Sequence, residues 1–366
     1  MASSFKVKAR YTPYLLRFKF DAGTSRGVLR TKKTYLIQLI SADFPGTAGY
    51  GEAGPLAGLS IDDREDFERQ LADVLSEMEQ ISFPFQEAKI MEILAQKVSF
   101  QLPSIRFGME TALLDLLNGG KRYLLPNDFY DKGRPIPING LIWMGDKEFM
   151  YRQIREKLEQ GFDCIKLKIG SIDFEQECEL LASIRKQFDE HEVTLRVDAN
   201  GAFASADALG KLGNLAKYKL HSIEQPIQQG NWEEMGALCR NTPVPVALDE
   251  ELIGIHEPFT KQRLLEEIQP QYIILKPTLL GGIAASREWI KMAESRNIGW
   301  WITSALESNV GLNAIAQFTS SLNPEVPQGL GTGKLYHNNF ESPLAMMGGE
   351  LYYQKGKKWS NLKEVF

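Results

Sequence analysis

Two rhythms of apolar and polar positions divide the chain. In "FKVKARYTPYLLRFKF" (5–20) and "TYLIQLISADF" (34–44) they alternate with period two, which predicts paired antiparallel strands with one face toward a core. From Ile61 to about Ile81 the apolar residues recur at helical spacing, with Ser60 as the N-cap and acids crowding the first turn. A second apolar helix is predicted from about Ser104 to Leu117, stopped by Gly119 and Gly120. Strands followed by helices predict an α+β domain over residues 1–125.

After "PNDFYDKGRP" (126–135) the rhythm changes, and short apolar strands alternate with amphipathic helices. "IPINGLIW" precedes a helix from about Lys147 to Gln160, ended by Gly161. "CIKLKIG" (164–170) precedes "FEQECELLASIRKQF", and "TLRVDANG" precedes "SADALGKLGNLAKY". "HSIEQPI", "VPVALDEE", "YIILKPT" and "GWWITSALES" follow, each succeeded by helical sequence. Strand then helix, repeated, gives parallel strands. Seven of them in order predict a (β/α)7β-type TIM barrel over 126–335 rather than an open sheet. Residues 336–366 alternate like strands again and are expected to return to the first domain, which would then cap the barrel.

Parallel packing changes the meaning of "CIKLKIG". Cys164, Lys166 and Lys168 share one face of that strand, and a barrel strand is covered on both faces, so two lysines stand inside the barrel. The strands carry further charges near their C-terminal ends: Lys168, Asp198, Glu224, Asp249, Lys276 and Glu307, at intervals of 30, 26, 25, 27 and 31 residues. One β/α unit separates each from the next. All are therefore expected at one mouth of the barrel, where such folds carry their active sites.

Three carboxylates on neighbouring strands cannot stay ionised together without a countercharge. All-oxygen donors, with His191, His221, His256 and His337 elsewhere, point to Mg²⁺, with Mn²⁺ as a substitute, rather than zinc. Asp249 and Glu250 lie on opposite faces of their strand, and parity leaves open which one faces the ion. Lys168 and Lys276 would flank it. A lysine beside a divalent cation and a second lysine, Lys166, has its ammonium form disfavoured, which suits a base. Such a base could remove the proton next to a carboxylate while the metal stabilises the resulting enediolate.

Charge and composition narrow the partners. With 42 basic against 47 acidic residues and no basic block, neither nucleic acid nor an anionic membrane surface is expected as the main partner. No apolar run is long enough to span a bilayer, and the N-terminus lacks a signal-peptide core. Three cysteines, Cys164, Cys178 and Cys239, are too few for a disulfide scaffold, so a cytoplasmic location is expected. The partner is expected to be a small-molecule carboxylate, and a homo-oligomer is left open.

The motifs "IKLKIG", "VDANGAF", "IEQPI", "ALDEE" and "ILKPTLLGG", in that order, resemble those of the enolase superfamily in its muconate-lactonizing branch, over nearly the whole chain. The resemblance implies that Asp198, Glu224 and Asp249 bind magnesium. "GYGEAGPLAGLS" (49–60), "PINGLIWMG" (137–145), "SALESNVG" (304–311) and "GLGTGKLYHNN" (329–339) are similar to a dehydrating subgroup that acts in menaquinone biosynthesis. In that subgroup the lysine matching Lys168 removes the α-proton and then, as the acid, protonates the departing hydroxyl. The lysine matching Lys276 stays cationic and faces the substrate ring. Substrate contacts are implied for Asn200, Gly281, Gly282, Ser304, Glu307 and Ser308, with the 280–282 backbone and Ser304 near a second substrate carboxylate. Loops at 21–27 and 49–54 would close over the barrel.

One departure is "PLAG" where members often have "PLPG", which touches no chemical group. Racemases and dipeptide epimerases share the scaffold and are the nearest alternative. The epimerases' Asp-x-Asp on the last strand has no counterpart in "PQGLGTGKLYHNN", and "WWITSALES" lacks the histidine base of acid-sugar dehydratases. A non-catalytic metabolite-binding barrel would have lost a ligand or a base, whereas this chain retains each one the resemblance requires.

Overall fold

The computed structural model describes residues 4–24, 27–170 and 172–366. Ser25 and Arg26, in the loop expected to close over the barrel, lie outside the described residues.

The first region is a three-stranded antiparallel sheet of β1 (Lys8–Thr24), β2 (Gly27–Ile40) and β3 (Ala48–Ala53), in that order. Tyr35, Ile37 and Leu39 project from one face of β2 into a core with Leu71 and Leu75 of α1 (Phe67–Met78), Ile90 and Leu94 of α2 (Glu87–Lys97), and Ile105 and Met109 of α3 (Pro103–Leu117). Each such side chain contributes about 1.5–3 kcal/mol on full burial. Sheet and α3 approach closely because β3 carries glycines: a Cβ on Gly51 would stand 1.9 Å from the Gly108 carbonyl oxygen.

The helix predicted from Ile61 begins only at Phe67, and Ser60 does not cap it. Instead Ser60 Oγ accepts from Leu56 N at 2.8 Å. Asp62 is drawn away to the start of α3, where its Oδ2 accepts from Ser104 N (2.9 Å) and Ser104 Oγ (2.5 Å). Tertiary hydrogen bonds thus hold residues 61–66 out of the helix. The second predicted helix is present, starting one residue earlier, at Pro103. The apolar pattern had not indicated α2.

The second region is built on seven parallel strands: β4 (Gly140–Ile142), β5 (Cys164–Lys168), β6 (Thr194–Asp198), β7 (Ser222–Glu224), β8 (Val246–Leu248), β9 (Tyr272–Leu275) and β10 (Gly299–Ile302), adjacent in chain order. Parallel bridges from Ile138 to Gln328 and from Thr303 to Gly329 close first strand to last, completing the predicted barrel. Around it lie α4 (Lys147–Glu159), α5 (Phe174–Arg185), α6 (Ser205–Leu215), α7 (Trp232–Asn241), α8 (Pro258–Ile268), α9 (Pro277–Leu280), α10 (Gly282–Glu294) and α11 (Asn309–Ser321). Asp146, Asp173, Asn231 and Ser308 accept backbone N–H groups at the starts of α4, α5, α7 and α11. Ile165 and Leu167 of β5 pack outward with Leu180 and Leu181 of α5, so the same alternation that buries them turns the lysines inward.

The final segment divides between the two regions. A hairpin of β11 (Leu344–Met347) and β12 (Glu350–Tyr353) pairs with Ile136 and Pro137, just before β4, so these strands attach to the barrel and not to the first sheet. Leu351, opposite Ile136, is buried there in the barrel's core. Other parts do reach the first sheet: His337 N donates to Arg17 O at 2.9 Å, and the Phe340 and Phe366 rings stack near Tyr14 and Tyr50. No helix among the described residues is long and apolar enough to cross a membrane.

Candidate active site

Sheet register assembles the charges at the mouth. Lys168 pairs with Asp198 across β5 and β6, and Asp198 with Glu224 across β6 and β7, so their side chains emerge side by side on the inner face. Lys168 Nζ donates to Asp198 Oδ2 and to Asn200 Oδ1, each at 2.9 Å. Lys166 Nζ donates to Glu224 Oε2 and lies 3.1 Å from Asp198 Oδ2. From the far side, Lys276 Nζ, just after β9, donates to Asp249 Oδ2. Of the two acids that strand parity left open, Asp249 meets Lys276, whereas Glu250 Oε1 accepts from Asn200 Nδ2 at 3.0 Å.

The four acids, Lys166 and Lys168 are buried and Lys276 is largely so, and burial alone would neutralise them. It works to raise the Asp198 pKa, but Lys166 and Lys168 outweigh it and hold that carboxyl well below the usual carboxylate range. Asp249 is lowered in the same way, against burial, by Lys276. Glu224 goes the other way: burial and the neighbouring Asp198 charge push it well above its ordinary value. For Lys166 and Lys276 the acids win, over the opposing effect of burial, and both are raised.

The donor set fits a divalent cation by its chemistry. Glu224 Oε1 is buried with no hydrogen-bond partner, an oxygen aimed at nothing the protein itself supplies. Asp249 and Glu224 lie within hydrogen-bonding reach of each other, and Asp198 is Glu224's strand neighbour. Among the described residues no three His, Cys, Asp or Glu side chains stand as a ready-made ligand set, because the lysines are interposed between the acids. A bound ion would take over the carboxylate oxygens that the ammonium groups now hold.

The three lysines, Asp198 and Glu224 open into a cavity of about 640 Å³. Phe20, Leu29 and Leu56 from the first region and Trp143, Leu306 and Leu335 from the barrel give it apolar walls. Phe20 packs edge-on against Trp143, with centroids 5.8 Å apart, so the first region roofs the mouth. A site built in this way keeps water from charges that form inside it.

The remaining predicted contacts separate. Asn200 and Ser304 line the cavity, and both also bond to neighbouring side chains. Asn200 bridges Lys168 and Glu250. Ser304 Oγ gives its one proton to Glu307 Oε2 (2.5 Å) and accepts from Leu306 N (3.0 Å) and Thr332 Oγ1 (2.9 Å). Glu307 is not at the mouth: it is fully buried, receiving Thr278 Oγ1, Ser304 Oγ and Ala305 N. Ser308 is the α11 N-cap and donates to Glu52.

Gly281 and Gly282 do not line the cavity either. They form a left-handed break between α9 and α10, with φ of 98° and 97°. A Cβ on Gly282 would stand 2.2 Å from Glu110 Oε2, which accepts from Ile283 N at 2.5 Å. Glu110 thus takes up the N–H of Ile283, one residue beyond the 280–282 backbone expected near a substrate carboxylate.

Among the cavity residues that were not anticipated, three stand out. Leu306 has φ of 67°, a conformation costing a bulky residue roughly 1–3 kcal/mol, and it is pinned by Ser304 Oγ at its N–H and by Tyr336 Oη at its carbonyl (2.7 Å). Asn139 and Lys157 line the cavity as well. Asn139 belongs to the "PINGLIWMG" motif, a signal that was visible but without a role; Lys157 lies on a helix face that no pattern distinguished.

Residues 150–357 match the family model described as enolase C-terminal domain-like. The sequence is 48% identical to the o-succinylbenzoate synthase of Desulfotalea psychrophila over 357 residues, covering 92% of this chain and 96% of that protein. The crystal structure of MenC from Desulfotalea psychrophila superposes with a TM-score of 0.83 at 43% identity, over 96% of this chain and all of that one. The L-Ala-D/L-Glu epimerase of Bacillus subtilis, solved with a substrate ligand, superposes at 0.81 over 96% of each chain, but at 19% identity it is evidence of the fold alone.

Proposed function

The chain belongs to the enolase C-terminal domain-like family, in the muconate-lactonizing branch of the enolase superfamily, and from that premise we propose that it catalyses the o-succinylbenzoate synthase reaction. The reaction removes water from 2-succinyl-6-hydroxy-2,4-cyclohexadiene-1-carboxylate to give 2-succinylbenzoate, a hydro-lyase step of menaquinone biosynthesis. The near full-length identity of 48% to a protein of that name carries the reading. Two lysines facing three carboxylates in an apolar cavity supply suitable machinery.

Asp198, Glu224 and Asp249 would hold Mg²⁺, or Mn²⁺ in its place, which when bound neutralises the substrate carboxylate and the charge that builds on it. Lys168, as the free amine, takes the proton on the ring carbon bearing the carboxylate. It then returns that proton to the departing hydroxyl, so that water leaves and the ring becomes aromatic. Asn200 fixes the Lys168 amine in direction through the 2.9 Å contact. Lys276 is the opposite case: despite burial, Asp249, Glu250 and Glu224 keep it cationic, which suits stabilising negative charge across the ring. Lys166, deeper on β5, holds Glu224 and Asp198 in place. The substrate is a small carboxylate of the cytoplasm, and neither nucleic acid nor membrane takes part.

An absorbance assay on the cyclohexadiene substrate, with and without EDTA, tests this. Turnover in Mg²⁺, lost on chelation and regained with Mg²⁺ or Mn²⁺, is expected. Absence of turnover in Mg²⁺ overturns the assignment, and hydrogen exchange at the α-carbon of N-acylamino acids or dipeptides in its place would identify a racemase or epimerase.

A further inference from the structure

Lys32 carries a buried ammonium that takes no part in the site. It shares a face of β2 with Thr34 and Leu36, opposite to the face of Tyr35, Ile37 and Leu39. Its strand partner, Leu16, belongs to an apolar cluster with Leu56, Trp143, Leu306 and Tyr336. Leu56, Trp143 and Leu306 line the cavity, whereas Lys32 does not. Its Nζ is buried and has no hydrogen-bond partner. The chain passes directly over it: a Cβ on Gly54 would stand 2.9 Å from that nitrogen and 2.7 Å from Thr34 Oγ1. A glycine at 54 is what lets the backbone run so close.

Three buried acids act on this ammonium. Burial lowers the Lys32 pKa, and Glu307, Glu52 and Asp62 oppose that, in descending order. Each acid belongs to a segment that carries a cavity wall. Glu52 and Asp62 bracket the stretch in which Leu56, Ala57 and Gly58 line the cavity. Glu307 directly follows the lining residues Thr303, Ser304, Ala305 and Leu306. Neutral donors fasten each acid where it stands: Thr34, Ser308 and Gly311 for Glu52, Ser104 for Asp62, and Thr278, Ser304 and Ala305 for Glu307. Asp62 Oδ1 is left without a donor. Among the described residues no hydrogen bond runs from 54–62 to 303–307, so the two walls are related by apolar contact and by charge. Three desolvated carboxylates repel one another, and a cation that is bonded to none of them attracts all three.

We propose that Lys32 is a positioning residue of the cavity roof: its ammonium draws Glu52 and Asp62 on one wall and Glu307 on the other toward one point, and so sets the spacing of Leu56 and Leu306 across the ligand. The inference rests on the o-succinylbenzoate reading only for the substrate used in its test. Lys32 touches neither substrate nor metal, and the proton transfers stay with Lys168.

Two variants attack this arrangement from opposite sides. Lys32→Met removes the charge and keeps an unbranched stem; Gly54→Ala keeps the charge and displaces the chain above it. Amide hydrogen exchange is read by mass spectrometry on the free enzyme, and KM and kcat on the cyclohexadiene substrate in Mg²⁺. In Lys32→Met, exchange should quicken by roughly 2- to 30-fold in peptides covering both 54–62 and 303–308, the range for a group that acts on a site without touching it. Peptides of β5 and β6 should keep wild-type rates, which is the check on folding. KM should rise over the same range of roughly 2- to 30-fold while kcat stays within about threefold. Gly54→Ala should shift exchange and KM in the same direction, by less. Unchanged exchange at either wall in Lys32→Met overturns the proposal, as does a loss confined to kcat. Should Lys32→Met not fold, wild-type exchange and KM in Gly54→Ala overturn it. Failure of the parent reading looks different: wild type would then not dehydrate the diene, and the exchange measurement, which needs no substrate, still decides.

Discussion

Buried carboxylates occur in two places, and their partners differ. At the barrel mouth Asp198, Glu224 and Asp249 meet ammonium groups. At the seam between the first region and the barrel, Glu52, Asp62, Glu110 and Glu307 are equally buried but take their hydrogen bonds from neutral donors, with the Lys32 and Arg106 charges near them yet not bonded to them. Glu52 alone receives Thr34 Oγ1 (2.8 Å), Ser308 N (2.9 Å), Ser308 Oγ and Gly311 N (2.9 Å), joining β2 to the start of α11. Glu110 crosses from α3 to α10 in the same way. Fixed backbone donors make a directional fastener. Ammonium groups on flexible stems make a cluster whose charges can be exchanged for those of a metal or substrate. Burial of an acid thus does not mark chemistry; the kind of partner does.

Three substitutions press on that contrast, in descending order of effect. Lys168→Ala should lower turnover by roughly 10²- to 10⁴-fold or more, because the group acts on the substrate, while Lys166 still faces Asp198 and keeps the loss of stability small beside that of activity. Activity within tenfold of wild type would remove Lys168 from the role of base. Glu52→Ala should do the reverse. Leaving the Ser308 and Gly311 amides without acceptors should cost about 2–4 kcal/mol, read as a fall in the urea midpoint. An unchanged midpoint would mean that the seam acids are not fasteners.

Glu110→Gln is subtler and depends on pH. Burial lifts the Glu110 carboxyl from 4.5 to about 8, against the backbone N–H of Ile283 and the charge of Arg106. Below the unfolded value the acid is protonated in both states and has no effect on the balance. As pH rises from 4.5 toward 8, the unfolded chain releases a proton that the folded one keeps, so stability falls, and it levels off above 8. Glutamine cannot ionise. Urea midpoints at pH 5, 7 and 8.5 should therefore show the variant gaining on wild type by up to ~2–4 kcal/mol across that window. Parallel profiles would mean that the seam carboxylate carries no such linkage.

The same contrast explains what could be read beforehand. The inward lysines followed from period-two alternation on a strand that parallel packing covers on both faces, and the recurrence of charges followed from the length of a β/α unit. Glu307 has the right spacing but lies five residues past the end of β10, in a turn where a neighbouring helix and loop supply its donors. Spacing cannot register that. The stretch 61–66 has helical periodicity, but Asp62 finds better partners in Ser104, more than forty residues away. Asn200 and Ser304 line the cavity, and their hydrogen bonds run to Lys168, Glu250 and Glu307.

Sequence by itself determined the barrel, its mouth and the lysine and carboxylate positions there, because strand alternation and repeat length are local and periodic. Only the tertiary structure decided which acids are bonded to cations and which to backbone amides and hydroxyls. Those outcomes depend on which donors the packing of separate elements brings within about 3 Å, a distance at which hydrogen bonds form and which no spacing along a chain encodes.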